Sequence, residues 1–212
     1  LPSELVLGLD TSGPWVALAL VRGETLLAQT SEPMERGQAE VLMPLVQNLM
    51  AGAGAQLRDL HRIGVGTGPG NFTGVRMGVS LARGLALGLG IPAIGVTRFA
   101  ARALGLTGTF AVVEDARHGA CYVLDHSAPG APPRLTEILA LPMEIGDIAV
   151  VGSAAAEAAA ATGGAILPAT FDLAEAIARI AATAPLPQPR PAPLYLRPAD
   201  AAPARAALAI LP

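Results

Sequence analysis

Residues 63–90, IGVGTGPGNFTGVRMGVSLARGLALGLG, constrain this chain more than any other stretch, because an apolar strand runs through a glycine-rich turn straight into a helix. Gly64, Gly66, Gly68 and Gly70 alternate along it, with Pro69 between the last two. Glycine accepts positive φ and lets another backbone or a ligand come close, while proline stiffens the turn. Something must therefore lie against this backbone. A phosphate, a neighbouring strand and a partner protein are the alternatives.

The phosphate alternative loses ground on composition. All 14 basic residues are Arg and there is no Lys, which removes the P-loop lysine, Schiff bases and Ser-Lys dyads together. The dinucleotide fingerprint G-x-G-x-x-G fails as well, since Pro69, Asn71 and Thr73 stand where its third glycine belongs. The looser match at Gly88 and Gly90 closes a helix instead of opening one. Two readings of residues 66–74 remain, a packing turn and, less favoured, a phosphate cradle. In the second, Asp10, Thr11, Gly68, Gly70 and Asp115 are the nucleotide or phosphate contacts.

A chain of 212 residues, 52% hydrophobic, can form one large domain or two lobes of roughly 100 residues. Residues 5–9 read as a buried strand ending in Asp10, followed by strands at 16–21 and near 26–29, an antiparallel meander. After the glycine-rich segment come a strand at 93–96 and a short helix at 98–104. Gly105 and Gly108 then mark a boundary, giving lobes 1–106 and 107–212, the second with a proline-rich tail.

The second half repeats the opening. A strand at 110–114 ends in Asp115, and Asp115 precedes the strand at Cys121 by six residues, as Asp10 precedes Val16. A strand near 135–139, a strand at 148–152, an alanine-rich helix at 153–162, a short strand at 165–167 and a helix at 171–184 follow. The tail, with prolines at 187, 189, 191, 193 and 198, is expected to lie extended across the surface. Strands first and then alternating helix and strand, twice over, predict an α/β fold with duplicated βββαβα lobes.

Two helices in the first half carry more apolar surface than one core face needs. Residues 38–50 place Val41, Leu42, Leu45, Val46 and Leu49 at helical spacing, and Met43 and Met50 widen the band. Pro44 either falls in the first turn of a helix starting near Val41 or kinks it. Thr73 is the expected cap of the next helix, along which Gly74, Gly78 and Ala82 recur every four residues. Such a ridge lets a second helix approach closely.

Other chemistries find little support. A net charge of −3 with scattered arginines gives no basic stripe for nucleic acid. Asp10 and Asp115 can be read as holders of a hydrated Mg²⁺ across a cleft, or as carboxylates capping their own turns, the stronger reading without a third carboxylate nearby. The single Cys121 lies in an apolar strand and is expected to be inert. His61, His118 and His126 lack the i, i+4 pairing of a helical metal site. Neither a signal pattern nor a run of about 18 apolar residues is visible, and a cytoplasmic location is expected.

Taken together, GTGPGNFTGVRMGVSLARGLALGLGIPAIGVT, LGLDTSGPWVALAL, DARHGACY and PLYLRP resemble the bacterial TsaB (YeaZ) family over most of residues 4–200. The resemblance implies a shortened, non-catalytic paralogue of the threonylcarbamoyl transferase TsaD with the two-lobed actin-like/sugar-kinase (ASKHA) architecture. It implies participation in forming N6-threonylcarbamoyladenosine at position 37 of tRNAs reading ANN codons. TsaD holds its metal with an H-x-x-x-H pair. The matching helix here, RGQAEVLMPLV, has no histidine, and Gln38 stands where a single His is frequent.

The implied role is an assembly subunit docking on TsaD, with the ATPase TsaE joining, tRNA met only through the complex, and a homodimer formed when TsaD is absent. ATP and Mg serve the complex, and this chain requires no cofactor of its own. The family's docking surface lies on the first two helices, so Val41, Met43, Leu45, Met50, Gly74, Gly78 and Ala82 are the expected partner interface. Asn71, where Ser is commoner, and Ala120, where Glu is frequent, depart from the pattern. The rival is an ATP-dependent phosphotransferase using Asp10 and Asp115.

Overall fold

The structure, a computed structural model, describes residues 4–197. The tail's Pro198 lies outside that range. The first sheet contains strands β1 (Leu5–Asp10), β2 (Trp15–Arg22), β3 (Thr25–Pro33), β4 (Arg62–Gly66) and β5 (Ala93–Val96), in the order β3-β2-β1-β4-β5. The second contains β6 (Phe110–Asp115), β7 (Ala120–Asp125), β8 (Arg134–Glu137) and β9 (Ala149–Val151), in the order β8-β7-β6-β9. Each is an antiparallel meander extended by parallel strands, and a parallel bridge from Ile166 to Val150 stands where the first sheet has its fifth strand. This is the duplicated two-lobed actin-like/sugar-kinase layout.

Helices follow the strands: α1 (Gln38–Gly52), α2 (Phe72–Leu89), α3 (Arg98–Ala103), α4 (Leu141–Ile145), α5 (Ala155–Thr162) and α6 (Leu173–Thr183). The short α4 has no counterpart in the sequence reading. Pro44 lies inside α1 at an exposed position, so the helix starts at Gln38, upstream of Val41. α2 is capped by Asn71, whose side chain accepts from Gly74 N at 2.9 Å, and the expected cap Thr73 is already inside the helix. A Ser at 71 would cap in the same way, which is how the Asn71 departure is accommodated.

The lobes interlock. Leu42, Val46, Leu49 and Met50 of α1 and Val75, Val79, Ala82 and Ala86 of α2 cover one face of the first sheet. The other face is covered by α6, which sequence order had assigned to the second lobe. Small residues make this crossing possible: a Cβ on Gly8 would sit 2.2 Å from Ala174 O, and one on Gly64 2.8 Å from Ile177 O. The helix backbone thus rests almost directly on the sheet.

In return, Phe99 of α3 packs on the second sheet with Phe110, Val112 and Tyr122. The proline-rich tail joins that cluster through Leu194 and Leu196, and Pro191 is buried. The tail is therefore a structural strap, where a surface path was expected, since Leu194 and Leu196 pack with Phe99 of α3 against the second sheet. Leu194 N donates to Thr67 O at 2.8 Å, tying the strap to the end of β4.

Candidate functional site

The turn between β1 and β2 is built around Asp10, which is 0% exposed. Its Oδ1 accepts from Ser12 N at 3.0 Å, from the Ser12 hydroxyl at 2.8 Å and from Trp15 Nε1 at 3.0 Å, and Oδ2 lies 3.0 Å from the same hydroxyl. A Cβ on Gly66 would stand 2.0 Å from Oδ2. The carboxylate thus caps its own turn, with no open side for a hydrated cation.

The glycine-rich turn closes over this one. Asn71 N donates to Ser12 O at 2.7 Å, and the Thr11 hydroxyl to Gly74 O at 2.7 Å. Side chains on Gly70 and Gly74 would strike Ser12 O and Thr11 O, at 2.3 and 2.0 Å. Gly68 holds φ +89, and its carbonyl accepts from Arg98 N at 2.8 Å. The backbone that approaches Gly70 and Gly74 is therefore the chain's own β1–β2 turn. Gln38 secures it from the far side: Nε2 lies 2.7 Å from Trp15 O, 2.9 Å from Gly13 O and 3.3 Å from Met34 O.

The matching turn in the second lobe is open. Asp115 is exposed, and among the described residues Oδ1 accepts only from Arg117 N, at 2.7 Å. Arg117 and His118 have φ of 64° and 54° and are exposed beside it. Ala120 is buried in the Phe99–Phe110–Tyr122 cluster, so the Glu of the family pattern would place a charge among apolar side chains here.

Between the two turns lies a cleft of about 850 Å³ lined by Trp15, Phe72, Arg117, Tyr122 and Tyr195 among others. At its rim Phe72 stacks on Tyr195 with ring centroids 5.0 Å apart. A cluster absent from the sequence reading spans the lobes at its base. Glu114, 0% exposed on β6, forms ion pairs with Arg98 and with Arg102, the latter at 3.1 Å, and accepts from the Ser153 hydroxyl at 2.6 Å. Arg98 is 3% exposed and its guanidinium lies 5.4 Å from the Trp15 ring centre. The signal available in the sequence was a glutamate inside the apolar run FAVVED, but its partners are distant along the chain.

The expected interface residues divide. Val41, Met43 and Leu45 are half-buried at the margin of the core. Met50, Gly74, Gly78 and Ala82 are buried, and a Cβ on Gly78 would sit 2.5 Å from Thr11 Oγ1. The small-residue ridge thus faces β1, which corrects its assignment to an outer surface: the β1–β2 turn needs that close approach. The outward side of α2 carries Ser80, Arg83, Gly84, Leu87 and Gly88, all exposed, and no atom of the described residues lies within 4 Å of a Cβ on Gly84 or Gly88.

Cys121 is buried, and burial, with Glu144 and Glu137 adding to it, pushes its thiol up to about 11. Among the described residues no three His, Cys, Asp or Glu side chains converge as a metal site, and no helix is long and apolar enough to cross a membrane.

The profile of TsaD, tRNA N6-adenosine threonylcarbamoyltransferase, matches residues 27–130. The tRNA threonylcarbamoyladenosine biosynthesis protein TsaB of Escherichia coli K12 is 37% identical over 123 residues, 55% of this chain and 52% of that protein. TsaB of Bacillus subtilis 168 is 35% identical over 120 residues, 55% and 52%. The chain thus matches about half the length of these curated relatives. In fold, YeaZ from Pseudomonas aeruginosa superposes with a TM-score of 0.66 over 84% of this chain and 91% of that one, at 24% identity. A protein described as similar to peptidase YEAZ from the same organism reaches 0.69 over 92% and 100%, also at 24%. Over about half its length this chain is similar in sequence to TsaB proteins, and through both lobes it is similar in fold to YeaZ.

Proposed function

We propose that this chain is a non-catalytic assembly subunit of the bacterial complex that forms N6-threonylcarbamoyladenosine at position 37 of tRNAs reading ANN codons, and that it acts by binding TsaD. The observation that carries this reading is the engagement of Asp10 within its own turn. A phosphotransferase of this fold needs that carboxylate free for a cation or a water, and here it is buried and accepts from Ser12 and Trp15. Gln38, where the resemblance implies a histidine, is likewise engaged with backbone carbonyls. TsaE joins this assembly, and tRNA is met through it.

The docking face is the outer side of α1 and α2, with Val41, Met43 and Leu45 at its margin and Ser80, Gly84, Leu87 and Gly88 along its centre. Leu87 is 85% exposed, and the glycines beside it leave room for a partner helix to approach closely. Gly84→Leu tests this. It adds a side chain into open space and, as a better helix former, costs the fold nothing. Co-expression with TsaD should show co-elution lost, with circular dichroism and Tm of the free chain preserved. Retained co-elution overturns the interface, and loss of a homodimer alone would assign the face to self-association. Gly78→Leu is no substitute, because it would strike Thr11 inside the fold.

A further inference from the structure

We propose that Trp15, Arg98, Glu114 and Ser153 form an interlobe latch that locks the cleft at one width, so that this two-lobed fold does not hinge. The inference is independent of the partner reading above. Arg98 opens α3, directly after the last strand of the first sheet, while Glu114 lies on β6 and Ser153 follows β9. The contacts form an unbroken path across the base of the cleft. Asp10 accepts from Trp15 Nε1, the Trp15 ring lies against Arg98, Arg98 pairs with Glu114, and Glu114 accepts from Ser153. Ser153 Oγ in turn accepts from Asp115 N at 2.9 Å. The aspartate turns of the two lobes are thus joined through one buried charge pair.

Three features make this path a lock. Opening the cleft would separate Arg98 from Glu114 beside the apolar cluster of Phe99, Phe110 and Tyr122, leaving two buried charges without counter-ions. Arg98 also holds the first lobe, through Gly68 O on its backbone N–H and Pro69 O, 3.4 Å from Nη1. The tail then straps both lobes, with Leu194 N on Thr67 O and Arg197 Nη2 on Ala116 O at 3.2 Å.

Amide hydrogen exchange on the whole chain tests the latch, with Trp15, the only tryptophan, as an optical reporter. Glu114→Gln keeps the shape and removes the charge. Exchange should accelerate about tenfold or more in both turns, residues 11–16 and 115–120, while α1 and α5 keep their rates and Trp15 emission shifts. Ser153→Ala should give the same paired pattern at smaller amplitude, and it decides the question if Glu114→Gln fails to fold. Acceleration confined to 115–120 would overturn the proposal, since a contact within one lobe explains it. A uniform rise that includes α1 and α5 would overturn it equally.

Discussion

Asp10 and Asp115 occupy the same place in the two repeats, the end of a sheet's central strand before a hairpin turn, and they live in opposite environments. Asp10 is 0% exposed with its oxygens engaged by Ser12 and Trp15, while Asp115 is exposed with one acceptor bond. The hairpins differ by one residue in register: Asp10 pairs with Ala17 and Asp115 with Cys121. The larger cause lies after the following parallel strand. In the first lobe the glycine-rich turn and an 18-residue α2 pack onto the Asp10 turn, whereas in the second Gly152 and Ser153 lead to an α5 of eight residues. Duplication fixed the position of the carboxylate. What packs over it decides whether it is a structural node or an accessible group.

Exchanging glycine for alanine on the two sides should give the largest contrast. Gly74→Ala would put a methyl group 2.0 Å from the Thr11 carbonyl, a backbone atom that cannot swing away, and should cost about 3 kcal/mol or more. Gly119→Ala faces only Glu137 Oε2 at 3.8 Å and is penalised through its φ of +78, by about 1 kcal/mol. Urea midpoints at constant m decide the comparison. Equal losses would mean that the first turn is no more tightly packed than the second.

Removing the carboxylate charge sharpens the same contrast with smaller effects. Asp10→Asn keeps an acceptor oxygen for Ser12 and the indole but removes the charge that strengthens those bonds and sets an NH2 where Oδ2 meets the Ser12 hydroxyl, and about 2 kcal/mol of stability should disappear together with the native Trp15 emission. Asp115→Asn loses one bond at the surface and should stay within about 0.5 kcal/mol. A stable Asp10→Asn with unchanged fluorescence would show that the buried carboxylate is replaceable, and the argument against a cation at Asp10 would weaken with it.

How much of this was readable in the chain follows the range of the interactions. The central strands, α1, α2 and the repeat are written in local periodicity and in paired aspartates, and the structure bears them out. The Asp10 turn was half legible, since the bland reading of a capped carboxylate was the favoured one. The direction of the Gly74–Gly78–Ala82 ridge was not legible, because small residues every four positions suit a sheet and a partner helix equally. The destination of α6 and the Arg98–Glu114 pair were hidden for a similar reason. Gly8 and Gly64 record that something lies close, but only the fold shows that it is Ala174 and Ile177.

Cys121 offers the finest probe of the second turn, because it pairs across the hairpin with Asp115 yet is buried beneath it. Burial, with Glu144 and Glu137 nearby, raises the thiol to about 11 from an ordinary 9.0. Between these values the folded chain keeps a proton that the unfolded chain has released, so stability falls as pH rises through that window and is level below it. One proton sets a ceiling of about 1.4 kcal/mol per pH unit. Urea titrations from pH 8 to 11 should show that slope, and Cys121→Ala should lose it. At pH 8 a soluble thiol reagent should leave the native protein unmodified and react fully in urea. Rapid native labelling would mean that the openness of the Asp115 turn reaches through to the strand behind it, and the two turns would then differ in depth as well as in exposure.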